Sequence, residues 1–425
     1  MLLGCIADDF TGATDLASTL VDGGMRTAVW RGVPTEASKI PDVDALIIAL
    51  KSRTVPPAEA ITASVAASAW LAEAGARQQY FKYCSTFDST DAGNIGPVLD
   101  ALLRARGSSF TLACPAFPAN GRTVYHGYLF VGEVLLAESS MRHHPLTPMT
   151  DSLLTRVLGR QLPEHTVGLI PHRVVRQGAE AIESAWRQLA AEGYRAAIVD
   201  AITDDDLRAI GAASTTLPLL TGGSGLALGL PDAYRQAGWL DARSNAEASV
   251  HHIGGATAVL AGSCSATTRR QLAQAEAYGW PIWTVESEAA MHRPDALIAK
   301  VLDWAKPRLG DTPLVVASSA DPTVVEAAQA KYGRAEVGSR IESILARIAA
   351  ALVEQGVRRL IVAGGETSGA VIHALGVDGL QVGPAIAPGV PWVRPARSTQ
   401  PLALALKSGN FGGDDFFAEA FALTS

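Results

Sequence analysis

Three stretches in the first quarter of the chain place acids, cations and hydroxyls directly after apolar runs. Ile6-Ala7-Asp8-Asp9-Phe10-Thr11-Gly12 ends such a run in two adjacent carboxylates and a Thr-Gly turn. A carboxylate there can contact a ligand, act as a base or cap the following helix. Two adjacent acids cannot both cap one helix, so function is favoured for Asp9 and left open for Asp8. Lys51-Ser52-Arg53-Thr54 follows the apolar run 44–50. Its two cations could receive a carboxylate, with Arg53 binding it bidentately, or could simply be solvated. Residues 82–94 add Lys82, Ser85, Asp88 and Ser89, a donor and acceptor set suited to a small polyhydroxylated molecule. Ser/Thr-rich loops often serve only as turns and caps, but three polar loops at successive strand ends reinforce one another.

The second half has a different character. Gly262-Ser263-Cys264-Ser265, Gly364-Gly365-Glu366-Thr367 and Lys407-Ser408-Gly409-Asn410 each follow an apolar run, and the first two open helices. Free backbone N–H groups, hydroxyls and a positive helix end are what a phosphate-rich ligand needs, although a glycine turn can also reflect packing alone. No segment matches G-x-x-x-x-G-K-[ST], which excludes a P-loop. Thr221-Gly222-Gly223-Ser224-Gly225 fails G-x-G-x-x-G and comes late in its domain, which weighs against a nicotinamide enzyme. Adjacent His143 and His144 could ligate a metal, but neighbours on one strand point apart, so loop residues or substrate contacts are expected instead; Cys84 and Cys264, with no obvious paired base, read as packing thiols.

These loops need a scaffold that lines them up. Apolar runs at 2–7, 44–50, 79–84, 109–113, 166–170, 196–199 and 217–221 alternate with amphipathic segments, which implies six or so parallel strands before residue 225. Residues 123–131, beyond Asn120-Gly121, read as a hairpin or β excursion. The polar, unpatterned stretch 241–255 reads as a linker, after which alternation resumes, with helices expected at 294–305, 322–331 and 339–354. The expected fold is α/β: two domains, 1–245 and 250–425, each a mostly parallel sheet flanked by helices, with the active site in the cleft between them. The 425 residues carry a net charge of −7 and 18% charged side chains, so no nucleic acid is expected as a partner. No apolar run reaches about 18 residues, so no membrane is expected either, and a cytoplasmic location fits the four scattered cysteines.

The ordered series IADDFTGATD, LKSRT, KYCSTFDSTDAGNIG, CPAFPANGRTVYHG, MRHHPLTPMTD, TGGSGLA, GSCSATTR, GGETSG and LKSGNFGG resembles the four-carbon acid sugar kinases over nearly the whole chain. KYCSTFDST and MRHHPLTPMTD resemble their 3-oxo-tetronate branch. The resemblance implies a sugar-acid-binding first domain, a nucleotide-binding second domain, and transfer of the ATP γ-phosphoryl group to a terminal hydroxyl, and phosphoryl transfer in turn calls for Mg²⁺. It implies sugar-acid contacts at Asp9, Arg53 and residues 85–89, with Lys82 nearby, and Asp8, Lys51, Asp88 and Ser89 join them as expected substrate contacts. It implies ATP contacts at Ser263, Ser265, Gly364, Gly365, Glu366, Thr367, Gly409 and Asn410. Asp9 is the first choice of general base, with Asp88 and Asp8 as alternatives, and the metal ligands are left unassigned. A threonate or erythronate kinase of the same family, a non-catalytic sensor of nucleotide or sugar acid, and a homodimer all stay open.

Overall fold

A short apolar strand followed by a helix that packs on it must return as a strand running the same way, so repeated alternation builds parallel sheet. The computed structural model describes residues 1–35, 40–143, 147–241, 253–318, 330–397, 400–409 and 411–424. The chain divides into two units, Met1–Asn245 and Ala246–Ser425.

The strands of the first unit are β1 (Leu3–Ala7), β2 (Thr27–Arg31), β3 (Ala45–Ala49), β4 (Gln78–Lys82), β5 (Thr111–Cys114), β6 (Arg122–Tyr125), β7 (Tyr128–Val131), β8 (Val134–Leu135), β9 (Val167–Ile170), β10 (Ala196–Val199) and β11 (Leu219–Gly222). Eight of them lie side by side, all parallel, in the order β2-β3-β1-β4-β11-β5-β10-β9. Every residue of β1 and β3 is buried, as strands covered on both faces require. The helix Ile95–Ala105 shows how the flanking layer packs: Ile95, Val98, Leu99, Leu102 and Leu103 recur at helical spacing and are all buried. Thr27–Arg31 is a strand the apolar pattern did not reveal, because it follows the turn at Gly23-Gly24 and leads to β3 with no helix between them among the described residues.

The excursion at residues 122–135 is a separate antiparallel sheet, β6-β7-β8. Its turn is formed by His126 and Gly127, with φ of 50° and 76°. The buried Asp200, just beyond β10, accepts the N–H groups of His126 at 2.7 Å, Gly127 at 2.8 Å and His172 at 2.9 Å. That carboxylate ties the excursion to the parallel sheet.

The second unit contains β12 (Ala256–Ala261), β13 (Ile282–Thr284), β14 (Leu314–Ala317), β15 (Val357–Ala363), β16 (Gly379–Ala387), β17 (Val390–Pro395) and β18 (Ala403–Lys407). Their order is β13-β14-β12-β15-β18-β17-β16, parallel as far as β18 and antiparallel beyond it. The hairpin of β16 and β17 was not anticipated: Gly383-Pro384 interrupts the apolar run at a register shift, and a Pro388-Gly389 turn follows. Phe416, Phe417 and Phe421 of the helix Phe416–Ala422 pack with Trp392 on one face of this sheet. Most of the helix expected at 322–331 lies outside the described residues, as do His144 and most of the 241–255 stretch. Among the described residues no helix is long and apolar enough to cross a membrane.

Candidate active site

The three polar loops of the first unit follow β1, β3 and β4, which are neighbours in the sheet, so its carboxyl edge gathers them. Asp9 is extended and caps the helix Phe10–Asp22, its Oδ1 accepting the Gly12 N–H at 2.7 Å. Arg53 is the hub. Its Nε and Nη2 donate to the two oxygens of Asp8 at 2.8 Å each, its Nη1 lies 3.0 Å from Asp9 Oδ2, and Asp88 Oδ2 stands 3.8 Å away. Burial pushes the Asp8 carboxyl up, and the Arg53 charge opposes that shift. The fork that the sequence offered to a substrate carboxylate is therefore largely spent on holding Asp8 and Asp9.

Lys82 ends β4, is buried, and among the described residues makes its one hydrogen bond to the Tyr83 carbonyl, at 2.9 Å. A β-carbon at position 12 would come within 2.9 Å of Lys82 Nζ, so the missing side chain of Gly12 brings the ammonium to the positive end of the helix Phe10–Asp22. The Asp9 carboxylate already sits at that helix start, so Lys82 adds its charge beside an occupied cap. Asp88 Oδ1 accepts from Thr86 Oγ1 at 2.5 Å, and between them Phe87, at φ 54°, is buried edge-on against Tyr83. Ser89 is buried and its Oγ accepts from Gln161 Nε2 at 2.7 Å, which makes it a tie to the helix Leu154–Gln161. Ser85 is half-buried, and Lys51 is exposed without an ion pair to a described residue.

Two supporting residues escaped the sequence reading. Asn94 Nδ2 reaches the carbonyls of Ser52 and Val55 at 2.8 Å and of Arg53 at 3.3 Å, fixing the cation loop. Asp15, in the second turn of the first helix, accepts from Ser224 Oγ at 2.5 Å; burial pushes its carboxyl up and the charge of Lys82 opposes this. Both lie within quoted motifs, Asn94 in KYCSTFDSTDAGNIG and Asp15 in IADDFTGATD, but only the fold reveals their partners.

In the second unit the loops after β12, β15 and β18, again neighbouring strands, press together. The Gly262 and Ser263 N–H groups donate to the Ala363 carbonyl, and the Gly364 N–H donates to the Lys407 carbonyl at 2.8 Å. Ser265 caps the helix Ala266–Ala277, and its Oγ also donates to the Gly409 carbonyl at 2.7 Å. Thr268 Oγ1 at 3.0 Å and Lys407 Nζ at 3.3 Å reach the same carbonyl. The glycines divide into two kinds. A β-carbon at Gly409 would lie 2.2 Å from Ser263 Oγ and one at Gly262 2.0 Å from Thr367 Oγ1, while Gly364 has φ 136°. Gly365, the first residue of the helix Gly365–Ala374, has nothing within 4 Å of where its β-carbon would be. The first three let the loops pack, whereas Gly365 leaves room. Glu366 is exposed beside it, Thr367 is buried, and Asn410 lies outside the described residues. Burial pushes the Lys407 ammonium down to about 8.

Residues 3–230 match a sugar-binding N-terminal domain and residues 258–417 a nucleotide-binding C-terminal domain. The chain is 54% identical over 419 residues to a 3-oxo-tetronate kinase of Burkholderia multivorans and 53% identical over 421 residues to one of Cupriavidus necator. Each match covers 99% of this chain and 96% of the relative. A crystal structure of a Salmonella typhimurium LT2 protein, 44% identical, matches with a TM-score of 0.92 over 100% of this chain and 99% of its own. Two domain matches in the expected order and identity above one half along almost the entire length leave one assignment: the chain belongs to the four-carbon acid sugar kinase family.

Proposed function

We propose that this protein is an ATP-dependent kinase that phosphorylates the C4 hydroxyl of a 3-oxo-tetronate, giving the 4-phosphate. The observation that carries the reading is the 54% identity to a 3-oxo-tetronate kinase across 99% of the chain, and the two strand-end sites supply chemistry that fits it. Phosphoryl transfer asks for alignment and charge stabilisation more than for covalent chemistry. In the first unit, Lys82 offers its charge to the sugar carboxylate, half-buried Ser85 offers a hydroxyl contact, and Asp9 accepts the C4 proton. Asp9 suits that part because its side chain is 32% exposed, against 8% for Asp8 and 9% for Asp88. Arg53 keeps Asp8 and Asp9 in place. In the second unit, the uncapped start of the helix Gly365–Ala374 offers the triphosphate its first N–H groups, while those of Gly262, Ser263 and Gly364 hold the three loops together, and Lys407 adds charge nearby.

Mg²⁺ neutralises phosphate charge in such a transfer. Among the described residues no group of three or more His, Cys, Asp or Glu side chains could hold a metal ion. Mg²⁺ in such sites is usually carried by the triphosphate with one or two carboxylates, and Glu366 is the acid beside the open glycine. An ADP-release assay with ATP, Mg²⁺ and a panel of four-carbon sugar acids tests the proposal. Turnover of the 3-oxo acid with the highest kcat/KM is expected. Preference for threonate or erythronate would move the assignment within the family, and no turnover on any of them would leave a sensor.

A further inference from the structure

The strands of the second unit carry the glycine loops at their carboxyl ends; the opposite end holds a cavity of about 590 Å³. Thr257 and Arg359 near the starts of β12 and β15, Asp311 and Trp280 just ahead of β14 and β13, and Ala418 and Phe421 of the helix Phe416–Ala422 line it. All belong to the one unit. The volume is that of a small-molecule site. Arg359 is 9% exposed, its Nη2 donates to the Gly255 carbonyl at 3.3 Å, and its Nε is buried with no acceptor. The Nε is closed off from the cavity, so the charge that Arg359 offers a ligand there comes from its remaining N–H groups, which among the described residues make only that one long bond to a carbonyl. Thr257 and Arg359 are register partners on adjacent parallel strands, so their side chains share the face on which Phe421 packs. Trp280 and Phe421, with ring centres 6.1 Å apart, give that face an aromatic wall.

We propose that this cavity binds a small organic monoanion with a flat apolar body, an aromatic carboxylate, with its charge on Arg359 and its ring against Trp280 and Phe421. A single buried cation, with the Asp311 carboxylate among the lining groups, does not suit a di- or triphosphate, which separates this site in chemistry as well as in place from the glycine loops.

The test is a titration of the full chain with para-fluorobenzoate followed by fluorine NMR, with para-fluorobenzyl alcohol as the neutral counterpart. One site per chain is expected, with the alcohol bound at least about tenfold more weakly than the acid. Ala418→Leu grows into the cavity from a half-buried helix position and should weaken the acid at least about tenfold while Tm stays unchanged. Arg359→Met should weaken the acid but not the alcohol. No binding at about 20 mM acid, a Kd above which the interaction is negligible, would overturn the proposal. So would equal affinity for acid and alcohol, or undiminished binding in Ala418→Leu. None of these readouts needs sugar acid or ATP, so the kinase reading can fail while this one stands, and the reverse.

Discussion

The two candidate sites occupy the same topological place, the carboxyl ends of adjacent parallel strands, yet they are built from different material. In the first unit side chains carry the site: Arg53 grips Asp8 and Asp9, and buried Lys82 faces a helix start. In the second, side chains mostly support backbone: Ser265, Thr268 and Lys407 converge on one carbonyl, that of Gly409, and glycines let three loops touch. A side-chain site suits a small polar molecule whose groups must be told apart. A backbone site suits phosphates, which offer the same oxygens in every nucleotide. The first kind should break on truncation and the second on added bulk.

The largest effect is expected from Arg53→Ala, which strands the buried Asp8 carboxylate without its partner. About 3 kcal/mol of unfolding free energy should be lost, read from urea curves of the ligand-free protein, together with most activity. Arg53→Lys should restore charge without the bidentate grip and recover only part. Unchanged stability with a raised sugar-acid KM would instead make Arg53 a direct substrate contact. Next comes Asp9→Asn, expected to lower kcat about a hundredfold if Asp9 takes the hydroxyl proton. A rise in KM with kcat intact would move the base to Asp88 or Asp8.

The glycines sharpen the contrast from the other side. Gly365→Val, whose side chain enters open space, should leave Tm within about 2 °C and weaken ATP at least about tenfold by calorimetry, since it obstructs a loop used through its backbone. Gly409→Ala, which would collide with Ser263 Oγ, should lower Tm as well. Equal ATP affinity in Gly365→Val and wild type would remove that loop from the nucleotide site.

The smallest effect is a pH dependence from Lys407. Burial holds its ammonium at about 8, below the usual lysine value, so the charge is present at pH 7 and lost as pH rises through 8. The KM for ATP should rise a few-fold, by roughly threefold, between pH 7 and 9, and Lys407→Arg should flatten that slope. Ligand-free stability should move the other way. From about pH 8 to about 10.4 the unfolded chain keeps a proton that the folded chain has lost, so stability rises with pH across that window.

The alternation of apolar runs with helices was readable where a buried strand leads into a helix, as at β1, β3 and β12. It failed at β2 and at the β16–β17 hairpin, where a glycine turn or a Gly-Pro break hides the period. For the site, residue types and strand ends were legible, because acids and cations after apolar runs stand out locally. Their partners were not. That Arg53 spends its fork on Asp8, or that Ser89 is tied to Gln161, depends on contacts 45 and 72 residues apart in sequence, which local pattern does not carry.

The strand orders also bear on how the protein is made. In each unit the last parallel strand to leave the ribosome enters the middle of its sheet: β11 fits between β4 and β5, and β18 between β15 and β17. Until residue 222 emerges, the first unit is two half-sheets with facing open edges, and the second stays so until residue 407. Each unit therefore closes late and all at once, and a prematurely terminated chain exposes raw strand edges instead of folding into a smaller stable domain. Protease sensitivity of stalled nascent chains should drop in two steps, shortly after each of those residues clears the exit tunnel.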